Sequence, residues 1–85
     1  MRIFLQQPPA AGESARYLKL TLEQDLLGSW WLLRESGQVG GRSQTKREVY
    51  ATQAEAVAAF EAGRDAQIKR GFRITFSEGA EAPRR

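Results

Sequence analysis

The chain has 85 residues, 41% of them hydrophobic, and its 13 lysines and arginines against 10 aspartates and glutamates leave a net charge of +3. That length and apolar share fit one small domain holding about 4–13 kcal/mol of stability, and they argue against disorder. The absence of both cysteine and histidine excludes disulfides and thiolate zinc sites, and it removes the commonest general base and metal ligand.

In chain order, Arg2 to Gln7 reads as a first strand, with Ile3 and Leu5 on one face and Phe4 on the other. Its apolar part is too short for a secretory signal, and no run nears the ~18 apolar residues of a membrane span, so the expected location is cytoplasmic. Pro8, Pro9 and Gly12 mark a loop. Arg16 to Glu23 alternates: Leu18, Leu20 and Leu22 point one way, and Tyr17, Lys19 and Thr21 the other, as in a half-buried antiparallel strand. Gln24 to Gly28 is a turn.

Ser29 to Glu35 is the next strand. Trp31 and Leu33 share one face, and Trp30, Leu32 and Arg34 the other. With both faces apolar it reads as a central strand, covered on each side for part of its length. Trp31 is expected in the core. Trp30 is the more exposed of the pair, because it shares its face with Arg34. A polar loop from Gly37 to Lys46 follows, holding Gly40, Gly41 and Arg42, and its glycines suit positive φ. Arg47 to Ala51 is a short strand packed through Val49 and Tyr50.

Thr52-Gln53-Ala54-Glu55 has the form of a capping box, in which the Thr52 hydroxyl accepts from the Glu55 amide and the Glu55 carboxylate reaches back to the Thr52 amide. The helix it opens runs to about Arg70, stopped by Gly71. Val57, Phe60, Arg64 and Ile68 fall on one face, where Val57, Phe60 and Ile68 would cover the sheet and Arg64 would lay its stem on it. Phe72 to Phe76 is a last strand with Phe72, Ile74 and Phe76 on one face. Ser77 to Arg85 lacks large apolar residues and reads as a mobile tail. The expected architecture is α+β: an antiparallel sheet of four or five strands with one helix packed across it, in a single domain over residues 1–76, followed by a flexible tail over 77–85.

The central stretch resembles the WGR domain, named for its Trp-Gly-Arg signature and found in DNA-damage-responsive poly(ADP-ribose) polymerases and in small bacterial proteins. Gly37, Val39, Gly40 and Gln44-Thr45-Lys46 match the family pattern, and so does the ending Lys69-Arg70-Gly71-Phe72. The signature Trp is Ser36 here, and the signature Arg is Gln38. The resemblance spans about Ala15 to Phe72.

It implies a non-catalytic module. In family members that bind DNA breaks, the signature Trp packs on the terminal nucleotide and the Arg helps bind DNA or the neighbouring catalytic region. Losing a stacked aromatic, worth ~1–3 kcal/mol, together with a phosphate-facing Arg is expected to weaken binding about a hundredfold or more. The candidate nucleic-acid contacts are Trp30, Arg34, Gly37, Gln38, Gly40, Arg42 and Lys46. Backbone amides freed by glycine, with the cations Arg34, Arg42 and Lys46, suit phosphates, and Trp30 offers an apolar surface. The simpler reading of the same loop is a hairpin connection whose charges only solvate it.

Arg64, Lys69, Arg70 and Arg73 read first as solvated charges, with a second basic patch as the alternative. The expected partner is DNA, bound weakly. The alternative is a protein-protein interaction module docking on a repair or other enzyme through the altered signature surface, and a third reading is a domain that works only as a homo-oligomer. No enzyme, metal site or cofactor is expected. The carboxylates form no argued pair, and no G-x-G-x-x-G follows a strand to bind NAD.

Overall fold

The computed structural model describes residues 1–9 and 11–79. Five strands and one helix follow in the order β1 (Arg2–Gln7), β2 (Arg16–Gln24), β3 (Trp30–Gln38), β4 (Ser43–Tyr50), α1 (Gln53–Lys69) and β5 (Arg73–Glu78). The strands form one antiparallel sheet in the order β4-β3-β2-β1-β5, and α1 packs across it, mainly over β2, β3 and β4. The fold is α+β, as the strand and helix patterns anticipate. No helix among the described residues is long and apolar enough to cross a membrane.

Alternation decides which residues meet. Ile3 pairs with Leu20 and Leu5 with Leu18, while Leu22 pairs with Leu32, so the leucines of β2 share one face with their neighbours on both sides. This face receives the helix. Its core is Ile3, Leu5, Leu18, Leu20, Leu22 and Leu32, closed from above by Ala56 and Phe60. Burial removes the apolar surface of these side chains from water, at about 25 cal/mol per Å².

The helix rests on a different stripe from the expected one. Ala56, Phe60 and Gly63 are its buried residues; Val57 is half-buried, and Ile68 is exposed. The small residues at 56 and 63 bring the backbone close to the sheet, which rotates Ile68 outward. Arg64 turns to Asp65, with 2.9 Å between Nε and Oδ1. At the N-terminus the Thr52 hydroxyl accepts from the Glu55 amide at 3.2 Å, the first half of the capping box; the return bond from Glu55 is not formed. Gly71, at φ +98°, ends the helix.

Other boundaries move. β3 runs on to Gln38, and β4 begins at Ser43, so most of the expected Gly37–Lys46 loop is ladder. The actual turn is short: Gly41 donates to the Gln38 carbonyl at 2.9 Å, with Gly40 at φ +78°. In β5 a bulge at Thr75 pairs Ile74 with Leu5 but Phe76 with Phe4, so Ile74 and Phe76 face opposite sides of the sheet rather than the same one. Ser77 and Glu78, expected in the tail, extend β5. Of the rest of that expected tail, residues 80–85 lie outside the described residues.

The second face of the sheet carries no packed element among the described residues, so β3 is covered on one side only, and the centre of the sheet is β2. On the uncovered face cations sit over aromatic rings: Lys19 Nζ lies 5.5 Å from the Phe4 centroid and Arg2 Cζ 5.9 Å from that of Phe76. Phe4 and Phe76 themselves meet edge to face at 6.2 Å.

Trp31 is held on the same face by Asp25, whose Oδ2 accepts from the indole Nε1 at 2.8 Å, while Oδ1 accepts from the amides of Leu27 and Ser29 at 2.9 and 3.0 Å. These donors, the indole first, hold the Asp25 carboxyl below its ordinary value of 3.8. A carboxyl depressed in the folded state adds stability above its unfolded value, and that stability is lost as pH falls through the lower, folded one. The Trp31 indole N–H resonance is therefore expected to titrate with a midpoint below 3.8. An indole signal unmoved between about pH 5 and about pH 2 contradicts the assignment.

Candidate functional site

The β3–β4 hairpin places its cations by register. Arg34 lies opposite Lys46 and Ser36 opposite Gln44, on the face that carries the helix, while Leu33 lies opposite Arg47 on the other. The basic run from Arg42 to Arg47 is therefore divided, with Lys46 toward the helix side and Arg47 away from it. Arg42 sits one residue beyond the last paired position, and its carbonyl accepts from the Gln38 amide at 3.3 Å.

Glycine has two separate uses here. Gly40 supplies the positive φ of the turn. Gly37 does not: a Cβ there would collide with the Arg42 carbonyl oxygen and stand 2.9 Å from Ser43 Cα. Gly37 is needed for closeness, and it sets how tightly the hairpin end closes. The Val39 amide donates to the Ala15 carbonyl at 2.8 Å, tying the turn to the start of β2.

Arg34 lies half-buried beneath the helix. An added Cβ at Gly63 would stand 3.1 Å from its Nη1. The guanidinium reaches Glu48 Oε1, 3.2 Å from Nη2 and 3.3 Å from Nε, and the Tyr50 hydroxyl donates to the same oxygen at 3.2 Å. Burial pushes the Tyr50 hydroxyl above its ordinary value, and the charge of Glu48 adds to the shift. The ion pairs among the described residues are Arg2–Glu78, Arg34–Glu48 and Arg64–Asp65, so Arg42 and Lys46 are in none of them.

Beside this hairpin, under the last turn of α1, opens a cavity of about 500 Å³. Arg16, Arg34, Lys46 and Arg70 line it, and no carboxylate does. Ser36, at the signature Trp position, forms part of its wall. Gln38, at the signature Arg position, is exposed at the end of β3 opposite Arg16.

Of the seven candidate contacts, Arg34, Gly37, Gln38, Gly40, Arg42 and Lys46 lie along the turn half of the hairpin, with Lys46 about 13 Å along β4 from Arg42 by strand rise. Trp30 does not. It is half-buried against the hydrophobic core, paired with Tyr50, and about 13 Å along β3 from Arg34 by strand rise. The reason is the position of the helix: Trp30 shares its face with Leu32, and that is the face α1 covers. The sequence reading overlooked Arg16 and gave Arg70 first to a solvated helix end, with a second basic patch adjoining the loop as the alternative. A signal for Arg16 existed, since it has the parity of Leu18, Leu20 and Leu22 and so belongs to their face. Arg73 pairs with Gln6 on the opposite face and does not join the group.

Compared with known protein families, residues 1–78 match the WGR domain, a longer span than the Ala15–Phe72 carried by the motifs. The comparisons with curated proteins and with solved structures give no match. WGR domains as a class bind nucleic acid or protein. With the match running through all five strands and the helix, the chain belongs to the WGR domain family.

Proposed function

We propose that this domain is a non-enzymatic module that binds nucleic acid weakly through the hairpin end of β3 and β4. Arg42 and Lys46 meet phosphates, Arg34 adds a third charge shared with Glu48, and the backbone around Gly37, Gln38 and Gly40 lets a phosphate approach. One observation carries the reading: Arg34 and Lys46 are cross-strand partners on the hairpin that ends at Arg42, bordering a cavity wall without carboxylates. The geometry gives Trp30 no part in that surface.

The test is a titration with short duplex DNA at two salt concentrations. Log K is expected to fall against log salt by about 0.9 per phosphate neutralised, and replacing Arg42 and Lys46 with alanine to flatten the slope by about two units. Absence of binding at low salt removes the reading. It then leaves a protein-docking module, which a separate observation favours: Leu26 and Leu27, at 104% and 93% exposure, stand side by side on the β2–β3 turn.

A further inference from the structure

The cavity under the helix end has more structure than a phosphate track requires. Four cations face one space of about 500 Å³ with no acidic side chain in its wall. Only Arg34 among them has an ion-pair partner among the described residues. Like charges gathered around a concave space raise the local affinity for an anion.

The negative end of the helix, which would oppose one, is partly engaged. The Gln67 carbonyl accepts from the amides of Arg70 and Phe72, and the Ile68 carbonyl from that of Gly71, each at 3.0 Å. The Arg70 carbonyl accepts from the Gln7 side-chain amide at 2.8 Å. The Gln67, Ile68 and Arg70 carbonyls are thus bonded within the chain, which weakens the repulsion that this end of the helix would exert on a phosphate.

The remaining wall is of another kind. Phe72 is half-buried against the core and offers a ring, Leu18 adds apolar surface, and Gln44 and Gln67 supply primary amides. Such an amide is donor and acceptor at once, the pattern that pairs with the edge of adenine. A volume of about 500 Å³ lies within the usual range for small-molecule sites.

We propose that this cavity binds a free nucleoside monophosphate. Its phosphate lies among Arg16, Arg34, Lys46 and Arg70, and its base against Phe72 and the amides of Gln44 and Gln67. The site shares Arg34 and Lys46 with the duplex reading but does not depend on it, since the ligand is a single nucleotide held inside the cavity rather than a strand laid across the hairpin.

The experiment is an NMR titration of the full chain with AMP, adenosine and inorganic phosphate, with the short duplex run in parallel. AMP is expected to saturate, with shifts centred on Ser36, Gln67, Arg70 and Phe72, and to bind about tenfold or more tighter than adenosine or phosphate alone. Ser36→Trp fills the cavity and is expected to weaken AMP about tenfold or more. Arg70→Glu, on the exposed helix cap, is expected to do the same and covers the case of a Trp variant that does not fold. Arg47→Ala removes an equal charge from the opposite face and is expected to leave AMP binding unchanged. The inference is overturned if AMP does not saturate, if it binds no tighter than phosphate, or if a folded Ser36→Trp variant binds it as well as the parent. AMP binding without duplex binding removes only the duplex reading, and duplex binding without AMP binding removes only this one.

Discussion

Phe60→Ala is expected to cost about 3–5 kcal/mol and to lower the melting temperature by about 12–40 °C. Phe60 is the one large side chain in the buried stripe of α1; the other buried positions are Ala56 and Gly63. The helix is therefore anchored on the sheet mainly by one ring packed into the cluster of Ile3, Leu5, Leu18, Leu20, Leu22 and Leu32. Removing the ring leaves a void that small neighbours cannot fill, because the stripe on either side is already tight against the strands. The whole domain holds only about 4–13 kcal/mol, so the variant loses about a quarter or more of it. Thermal unfolding followed by far-UV circular dichroism measures this. A loss under about 1 kcal/mol shows that the helix is held by other contacts.

The second large effect is expected at Gly37. An alanine there drives its Cβ into the Arg42 carbonyl oxygen and toward Ser43 Cα, and both obstacles are backbone. No rotamer relieves such a clash, so the strands must part at the Gly37–Ser43 pair and the bond from the Gln38 amide to Arg42 is strained or lost. The expected cost is about 1–3 kcal/mol or more. Gly41 is the internal control. Its φ is not positive, and an added Cβ would meet Gln38 Cβ at an ordinary 3.5 Å. Gly41→Ala is expected to be neutral or to stabilise by up to about 1 kcal/mol, by restricting the unfolded chain. Equal urea midpoints for the two variants contradict the steric assignment. The Gly37 variant is also expected to weaken duplex binding, because opening the hairpin moves Arg42 away from Lys46.

The hairpin shows why a glycine-rich stretch is hard to read from sequence. Three glycines and two cations within ten residues suggest a loop, yet only the turn around Gly40 leaves the ladder. Glycine serves equally for positive φ, as at Gly40, and for close approach within a strand, as at Gly37, and composition does not separate these uses. The cations of this segment, Arg42 and Lys46, were legible one by one. The convergence of Lys46 with Arg16 and Arg70 was not, because it depends on the start of β2 and the end of α1 arriving at the same place.

What the sequence by itself determined is local: the alternation of β1, β2 and β3, the Thr52 cap, the Gly71 stop and the α+β class. Each follows from contacts within a few residues or from a period of two or about 3.6. What only the tertiary structure decided is which face of the sheet α1 covers. That choice set Trp30 half-buried against the core and left Trp31 to Asp25, replaced Ile68 by Gly63 in the buried stripe, and closed a cationic cavity beside Ser36. The physical reason is that alternation sorts residues into two sets, while the burial of one set comes from a helix placed by long-range packing, where the small side chains of Ala56 and Gly63 allow the closest approach.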